Sequence, residues 1–295
     1  MSGNSGYCPR IAARTRQLRL RGATYEIHEW GDTSLPTIIM LHGWGDCGGS
    51  FQFTVDALQR DWHVIAPDWR GFGDTSHNDG SYWFPDYLAD LDALLDTLDV
   101  TGPCRLVGHS MGGNVAALFA GAFPERVAAF VNVEGFGLPD SDPEHAPTRL
   151  RKWLEAVRTR REHPGYDSLA PLVNRIRRQG AHITEERARY VAALWSAQAS
   201  DHRWYLKADI AHRWPNPVLY RRAEARACWR RITARVLLVC GDDTEYREAM
   251  AAWHTADAGG DYPGSHCLSI ENAGHMVHIE QPEALAAAIE GFFST

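Results

Sequence analysis

The chain has 295 residues, 44% of them hydrophobic and 23% charged, with a net charge of −7. That is the composition of a globular protein with a full core, and it excludes disordered and collagen-like chains. No run approaches the ~18 apolar residues of a membrane span, and the six scattered cysteines make no C-x-x-C pair for zinc or redox chemistry. The polar start, Met1 to Arg10, lacks an apolar leader core, so a soluble, cytoplasmic protein with reduced thiols is expected.

In chain order, Arg16 to Arg21 and Tyr25 to Trp30 suggest two antiparallel edge strands. Thr37 to Leu41 is a continuous β-branched and apolar run, which suits a strand buried on both faces of a parallel sheet. The loop His42-Gly43-Trp44-Gly45 follows it, and Phe51 to Leu58 reads as helix. His63 to Ala66 is the next buried strand, leading into Asp68-Trp69-Arg70-Gly71-Phe72-Gly73. Apolar residues at helical spacing mark Phe84 to Leu98. A strand follows at Arg105, then a helix from Asn114 to Phe123, then a strand at Val127 to Val133 that ends in Glu134-Gly135.

From Leu138 to about Arg231 the alternation stops. This segment is helical in character and holds five of the eleven tryptophans. From Arg149 to Arg231 it carries nineteen basic and eight acidic residues, a balance of +11 against −18 elsewhere. A basic segment in an acidic frame argues for an insertion. Its basic residues are spread over helical patterns, which points to a solvated, ion-paired surface rather than a nucleic-acid site. Val236 to Cys240 resumes the sheet. Glu245 to Trp253 reads as helix, His266 to Ile270 as the last strand and Pro282 to Phe293 as the closing helix. Strands alternating with helices predict an α/β fold with a mostly parallel, doubly wound sheet. The core is expected at 1–137 and 232–295, with a helical cap at 138–231 inserted after the sixth strand.

The most telling stretch is Gly108-His109-Ser110-Met111-Gly112-Gly113, a G-x-S-x-G pattern between a strand and a helix. A serine at so sharp a turn is strained, and side chains at Gly108 and Gly112 would collide with their surroundings. The turn lifts the Ser110 hydroxyl clear of the sheet. It also places the Met111 N–H where it can meet a developing oxyanion.

With these residues in view, the chain resembles the α/β-hydrolase superfamily over nearly its whole length. The motifs that carry the resemblance are Leu41-His42-Gly43-Trp44, the Ser110 elbow, Asp68 to Gly73, and Ala273-Gly274-His275 followed by Glu280-Gln281-Pro282-Glu283. The resemblance implies an eight-stranded sheet, Ser110 as nucleophile and His275 as general base. It implies an oxyanion hole from the N–H groups of Met111 and Trp44. His42 and His109 fit packing and turn roles, His42 also orienting the oxyanion loop, and His278 fits a helix-start histidine.

The acid is the open question. The family's usual position, three residues beyond the glycine after Val236–Cys240, falls on Thr244. Asp243 serves if the loop is one residue shorter. Glu134, at the end of the preceding strand, is the alternative and the first choice, because a carboxylate buried there requires a partner.

A serine nucleophile suits acyl transfer, with small or medium esters as the leading substrates and no metal or organic cofactor. The expected partner is a small-molecule ester or other acyl substrate, and the protein is expected to be a monomer or homodimer. The insertion is expected to lie over Ser110 as a lid, its tryptophans forming mostly its own core. Two other readings stand beside the esterase. The His-Gly-Trp loop and an acid at Glu134 also resemble cofactor-independent dioxygenases of heteroaromatic substrates. A non-catalytic ligand receptor on the same scaffold is the second.

Overall fold

The computed structural model describes residues 6–159, 162–254 and 260–294, with the side chains of 251–254 excepted. The first five residues of the polar start lie outside the described residues.

The long apolar runs become the middle of the sheet. β3 (Thr37–Leu41), β4 (His63–Pro67), β5 (Cys104–His109), β6 (Val127–Val133) and β9 (Arg235–Gly241) are almost wholly buried. Their side chains alternate between two cores, as a period of two requires. Ile39 and Leu41 pack with Leu91, Leu94, Val115 and Phe130, whereas Ile38 and Met40 pack with Val55, Val131, Leu285 and Ile289. The first face is covered by α2 (Phe84–Thr97) and α3 (Met111–Ala122), the second by α1 (Gln52–Ala57) and α10 (Pro282–Phe293). Both faces of the central strands are thus removed from water, the condition under which parallel strands occur.

With β1 (Arg14–Leu20), β2 (Ala23–Trp30) and β10 (His266–Ile270), the sheet has eight strands in the order β1-β2-β4-β3-β5-β6-β9-β10. β1 and β2 are antiparallel, β2 meets β4 antiparallel, and the remaining pairs are parallel. This is the eight-stranded, mostly parallel sheet that the resemblance implies. Two consequences of the register matter below. β5 and β6 run side by side with His109 opposite Val133, and β6 runs beside β9 with Val133 opposite Val239. The residues that follow β5, β6 and β9, Ser110, Glu134 and Asp242, therefore emerge along one edge.

Between β6 and β9 lie α4 (Ala146–Thr159), α5 (Ala170–Arg177), α6 (Glu185–Trp195) and α7 (Arg222–Trp229). A small hairpin, β7 (Ser196–Gln198) and β8 (Trp204–Leu206), interrupts the helical character expected from sequence. Trp204-Tyr205-Leu206 is an aromatic, strand-favouring run, and the turn before it places His202 at φ 64°. α5 and α6 share a core with Phe53, Met276 and Ile279. α7 packs on α3 and sends Trp229 into the main core, stacked on Tyr262 at 5.1 Å. Two helix starts also differ from the sequence pattern. A 3-10 turn at Gly48–Phe51 precedes α1. α8 (Arg247–His254) begins two residues later than the pattern from Glu245 suggests. Among the described residues, no helix is long and apolar enough to cross a membrane.

Candidate active site

Ser110 sits at φ 50°, ψ −113°, between β5 and α3. Such a conformation costs a non-glycine residue on the order of 1–3 kcal/mol and persists only where the surroundings enforce it. Here the Ser110 N–H donates to the Val133 carbonyl at 2.8 Å, and its carbonyl accepts from Asn114 at 3.0 Å. The flanking glycines are required by space. A β-carbon on Gly108 would lie 2.6 Å from the Gly112 oxygen, and one on Gly112 would lie 2.1 Å from the Leu41 oxygen. The elbow is thus pressed between β5, β3 and α3 with no room for side chains.

His275 lies in the loop between β10 and the short helix α9 (Val277–Glu280). Its Nε2 is 3.0 Å from Ser110 Oγ and its Nδ1 is 3.1 Å from Glu134 Oε2. Glu134 is 1% exposed. Its Oε1 accepts from the Gly241 N–H at 2.9 Å, and its Oε2 accepts from the Thr244 hydroxyl at 2.9 Å. These donors satisfy a carboxylate that is buried away from water.

Asn132, two residues earlier, explains how the chain presents Glu134. Fully buried, it accepts from the Gly135 N–H and donates to the Gly135 carbonyl, each at 3.0 Å. That clasp closes a tight turn in which Glu134 takes φ 58°. The Glu134 N–H meanwhile continues the sheet to the Val239 carbonyl at 3.0 Å.

The two sequence candidates for the acid therefore part company. Glu134 is brought to His275, whereas Asp243 is exposed, its backbone N–H donating to the Ala273 carbonyl at 2.9 Å. Thr244, at the position where the usual pattern puts the acid, holds Glu134 instead.

Met111 is the first residue of α3, directly after Ser110. Trp44 is in the loop after β3 and is 51% exposed. That loop touches the elbow closely, since a β-carbon on Gly43 would lie 3.1 Å from Ser110 Cβ. His42 fixes the loop from beneath. Its Nδ1–H donates to the Gly43 carbonyl at 2.7 Å, and its Nε2 accepts from the Trp69 N–H at 2.8 Å. Burial pushes its pKa down, so it stays neutral and keeps this donor–acceptor arrangement. His109 donates from Nε2 to the His275 carbonyl at 2.8 Å. Burial, then the neighbouring His278 and His275, hold His109 well below the usual imidazole range.

Sequence reasoning did not find a second buried cluster behind this arrangement. His278 Nε2 is 3.0 Å from Asp46 Oδ2. Asp46 also accepts from Ser50 Oγ, from the Cys47 N–H and, at 2.8 Å, from the indole of Trp195 on α6. Burial alone would raise the Asp46 pKa, but its partners outweigh this and hold it low: His278 first, then His42 and Ser50. Asp46, His109 and His278 are the one group of metal-ligand side chains found together among the described residues. All three are buried, and the Asp46 oxygens are already engaged by protein donors.

Two cavities flank the Trp44 loop. One is walled by Met111, Tyr82, Phe84, Tyr87, Trp214 and Pro215 and is largely apolar. The other is walled by Trp195, Leu206 and Phe72 but also by His163, Arg175 and Arg213. Trp44 and His212 belong to both. Of the five tryptophans in the insertion, Trp195 and Trp214 line these cavities. Trp229 lies in the main core, and Trp153 donates to Ser81 Oγ at 2.8 Å.

Residues 36–282 match the model of the alpha/beta hydrolase fold family, and the chain belongs to that family. A serine hydrolase-like protein of Danio rerio is 35% identical over 127 residues, covering 42% of this chain and 39% of that one. Serine hydrolase-like proteins of Homo sapiens and Mus musculus match similarly, and the chain spans about half the length of these relatives. A putative 2-succinyl-6-hydroxy-2,4-cyclohexadiene-1-carboxylate synthase of Bacillus subtilis (strain 168) is 27% identical, covering 93% of this chain and 96% of that one. Among solved structures, the thioesterase domain from the curacin biosynthetic pathway superposes with a TM-score of 0.82 at 22% identity. It covers 95% of this chain and 99% of that one, a likeness of fold.

Proposed function

We propose that this hydrolase cleaves carboxylic esters or related acyl bonds, with Ser110 as nucleophile, His275 as general base and Glu134 as the orienting acid. One observation carries the reading. An unbroken chain of contacts runs from Ser110 Oγ through both nitrogens of His275 to Glu134, at 3.0 and 3.1 Å. A serine hydroxyl is a poor nucleophile until an imidazole takes its proton, and the carboxylate fixes the imidazole's tautomer and stabilises its cation.

In this mechanism Ser110 Oγ bonds to the acyl carbon as its proton passes to His275 Nε2. The carbonyl oxygen gains charge and accepts from the N–H groups of Met111 and Trp44. His275 then protonates the departing alkoxide, leaving an acyl-serine and a free alcohol. Water repeats the sequence in reverse roles and releases the acid. Every step uses groups of this chain and water. The insertion, 138–231, acts as the lid over Ser110, and its cavities beside Trp44 receive the two parts of the substrate. The names of two similar proteins suit an acid-bearing substrate: the Bacillus subtilis relative and a solved E-2-(acetamidomethylene)succinate hydrolase.

The test is a panel of p-nitrophenyl esters with four proteins. Ser110→Ala loses at least about a thousandfold in kcat. Glu134→Gln leaves His275 with the wrong hydrogen-bond partner and loses about 1,000- to 10,000-fold. Asp243→Asn stays within about twofold, as expected for an exposed side chain. A crippling Asp243→Asn reverses the assignment of the acid. Oxygen uptake without ester turnover points to the dioxygenase reading.

A further inference from the structure

Resting on the acyl-transfer reading, we propose that the substrate carries a carboxylate remote from the scissile bond. In this proposal Arg175 and Arg213 bind that carboxylate in the cavity beside Trp44 whose wall carries charged side chains. Among the described residues, neither guanidinium has an ion pair or a side-chain hydrogen bond to a protein group. Other arginines of the insertion meet acids, Arg187 with Glu283, Arg189 with Glu185, Arg203 with Asp167 and Arg226 with Asp261, whereas Arg175 and Arg213 share one cavity wall. One acid on the cavity wall, Asp209, already has other donors. It accepts from the Tyr82 hydroxyl at 2.8 Å and from the Ala211 N–H at 2.9 Å. The other acid, Asp46, is paired with His278. The wall therefore sets two arginine charges against the single carboxylate of Asp209, whose oxygens other donors already engage, and an anion is the complement of the excess.

Two imidazoles refine the ligand. His163 donates from Nε2 to the Ala208 carbonyl at 2.8 Å, which leaves its buried Nδ1 without a partner. His212 is stacked between Phe72 and Tyr82, each at 3.7 Å, and its buried Nε2 is likewise without a partner. Burial pushes the pKa of both down, that of His212 to about 3, so both rings are neutral; His163 Nδ1 accepts, and His212 Nε2 offers one further hydrogen-bonding position. A ligand that fills the cavity has an anionic end for the arginines and an N–H or O–H beside it for an imidazole. The other cavity at Trp44, with Met111 and no charged side chain on its wall, suits the uncharged part. A planar carboxylate matches a guanidinium in size and geometry, and one such group neutralises the surplus that Asp209 leaves.

The test uses three phenyl esters of equal length, ending in a carboxylate, a primary amide or a phosphate. For each, kcat/KM is measured on the wild type, on Arg175→Gln, on Arg213→Gln, on the double variant and on an Arg230→Gln control, which lines neither cavity. The carboxylate ester is expected to exceed the amide ester by at least about tenfold, the scale of a hydrogen bond to a charged group. Each single substitution is expected to cut that ratio severalfold, mainly through KM, and the double variant to bring it near one. The control is expected to keep the wild-type ratio. A wild-type ratio near one, a ratio that survives the double substitution, or a preference for the phosphate ester overturns the proposal. Binding of the carboxylate and amide esters to Ser110→Ala, measured by calorimetry, separates the two layers. Equal affinities with turnover intact in the wild type sink only the carboxylate site. A carboxylate preference in binding, without wild-type turnover of any ester, sinks the acyl-transfer reading instead.

Discussion

Glu134 and Thr244 divide between them what one side chain does in the usual arrangement. Thr244 stands where the family pattern puts the acid, and its hydroxyl donates to the Glu134 oxygen that also faces His275. Removing that donor leaves a buried carboxylate with one fewer partner and freer to rotate away from the imidazole. Thr244→Val, nearly isosteric, is expected to lower kcat about tenfold with KM little changed, the scale of a hydrogen bond to a charged group. Thr244→Ser keeps the hydroxyl and is expected to recover most of that loss. A Val variant with full kcat, or a Ser variant as slow as Val, shows that the hydroxyl does not position Glu134. The sequence shows both residues but not their relation. Which of two carboxylates at one sheet edge reaches the histidine depends on how far each side chain extends across strands β6 and β9. No count along the chain contains that distance.

Among the elements, the insertion docks through polar contacts that its sequence pattern conceals. The indole of Trp195 on α6 reaches Asp46 beneath the Trp44 loop. His212 wedges between Phe72 and Tyr82. Its folded pKa, about 3, lies below the value of 6.5 expected when unfolded. The sign follows directly. Between those values the unfolded chain binds the extra proton, so the stabilising effect of the neutral ring is complete above pH 6.5. It declines as the pH falls from 6.5 toward 3, by at most about 1.4 kcal/mol per pH unit. Thermal midpoints measured from pH 7.5 to 4.5 are expected to fall, and less steeply in His212→Phe, which keeps a stacking ring and cannot be protonated. Equal slopes in the two proteins contradict the neutral wedge. His212 gave no sequence signal, because a histidine among Ala211, Arg213 and Trp214 looks like any loop residue. Its contacts come from residues more than a hundred positions away. The hairpin β7–β8 escaped for a different reason, since strands of three residues are too short to show a period.

At the scale of the whole molecule, the sheet was legible wherever a strand was buried on both faces. Ile38 to Leu41, Val64 to Ala66 and Val236 to Val239 have no polar interruption, and only a strand covered on both sides tolerates that. The two glycines around Ser110 were legible too, because sterics at a strand-to-helix turn leave little choice of residue. The cavities were not. Arg175, Arg213 and His163 come from separate parts of the insertion, and what faces them is set by how α5 and the loops fold back over Trp44. The charge asymmetry marked the segment as distinct. It did not separate arginines that meet an acid, such as Arg187 and Arg226, from those that face the cavity.

Ser110 as the nucleophile is tested by intact-mass measurement after reaction with a p-nitrophenyl phosphonate. One phosphonyl group per chain is expected, carried by the peptide containing Ser110, with one equivalent of p-nitrophenol released and no adduct on Ser110→Ala. An unlabelled wild type that still turns over esters, or an adduct that persists in Ser110→Ala, would contradict it.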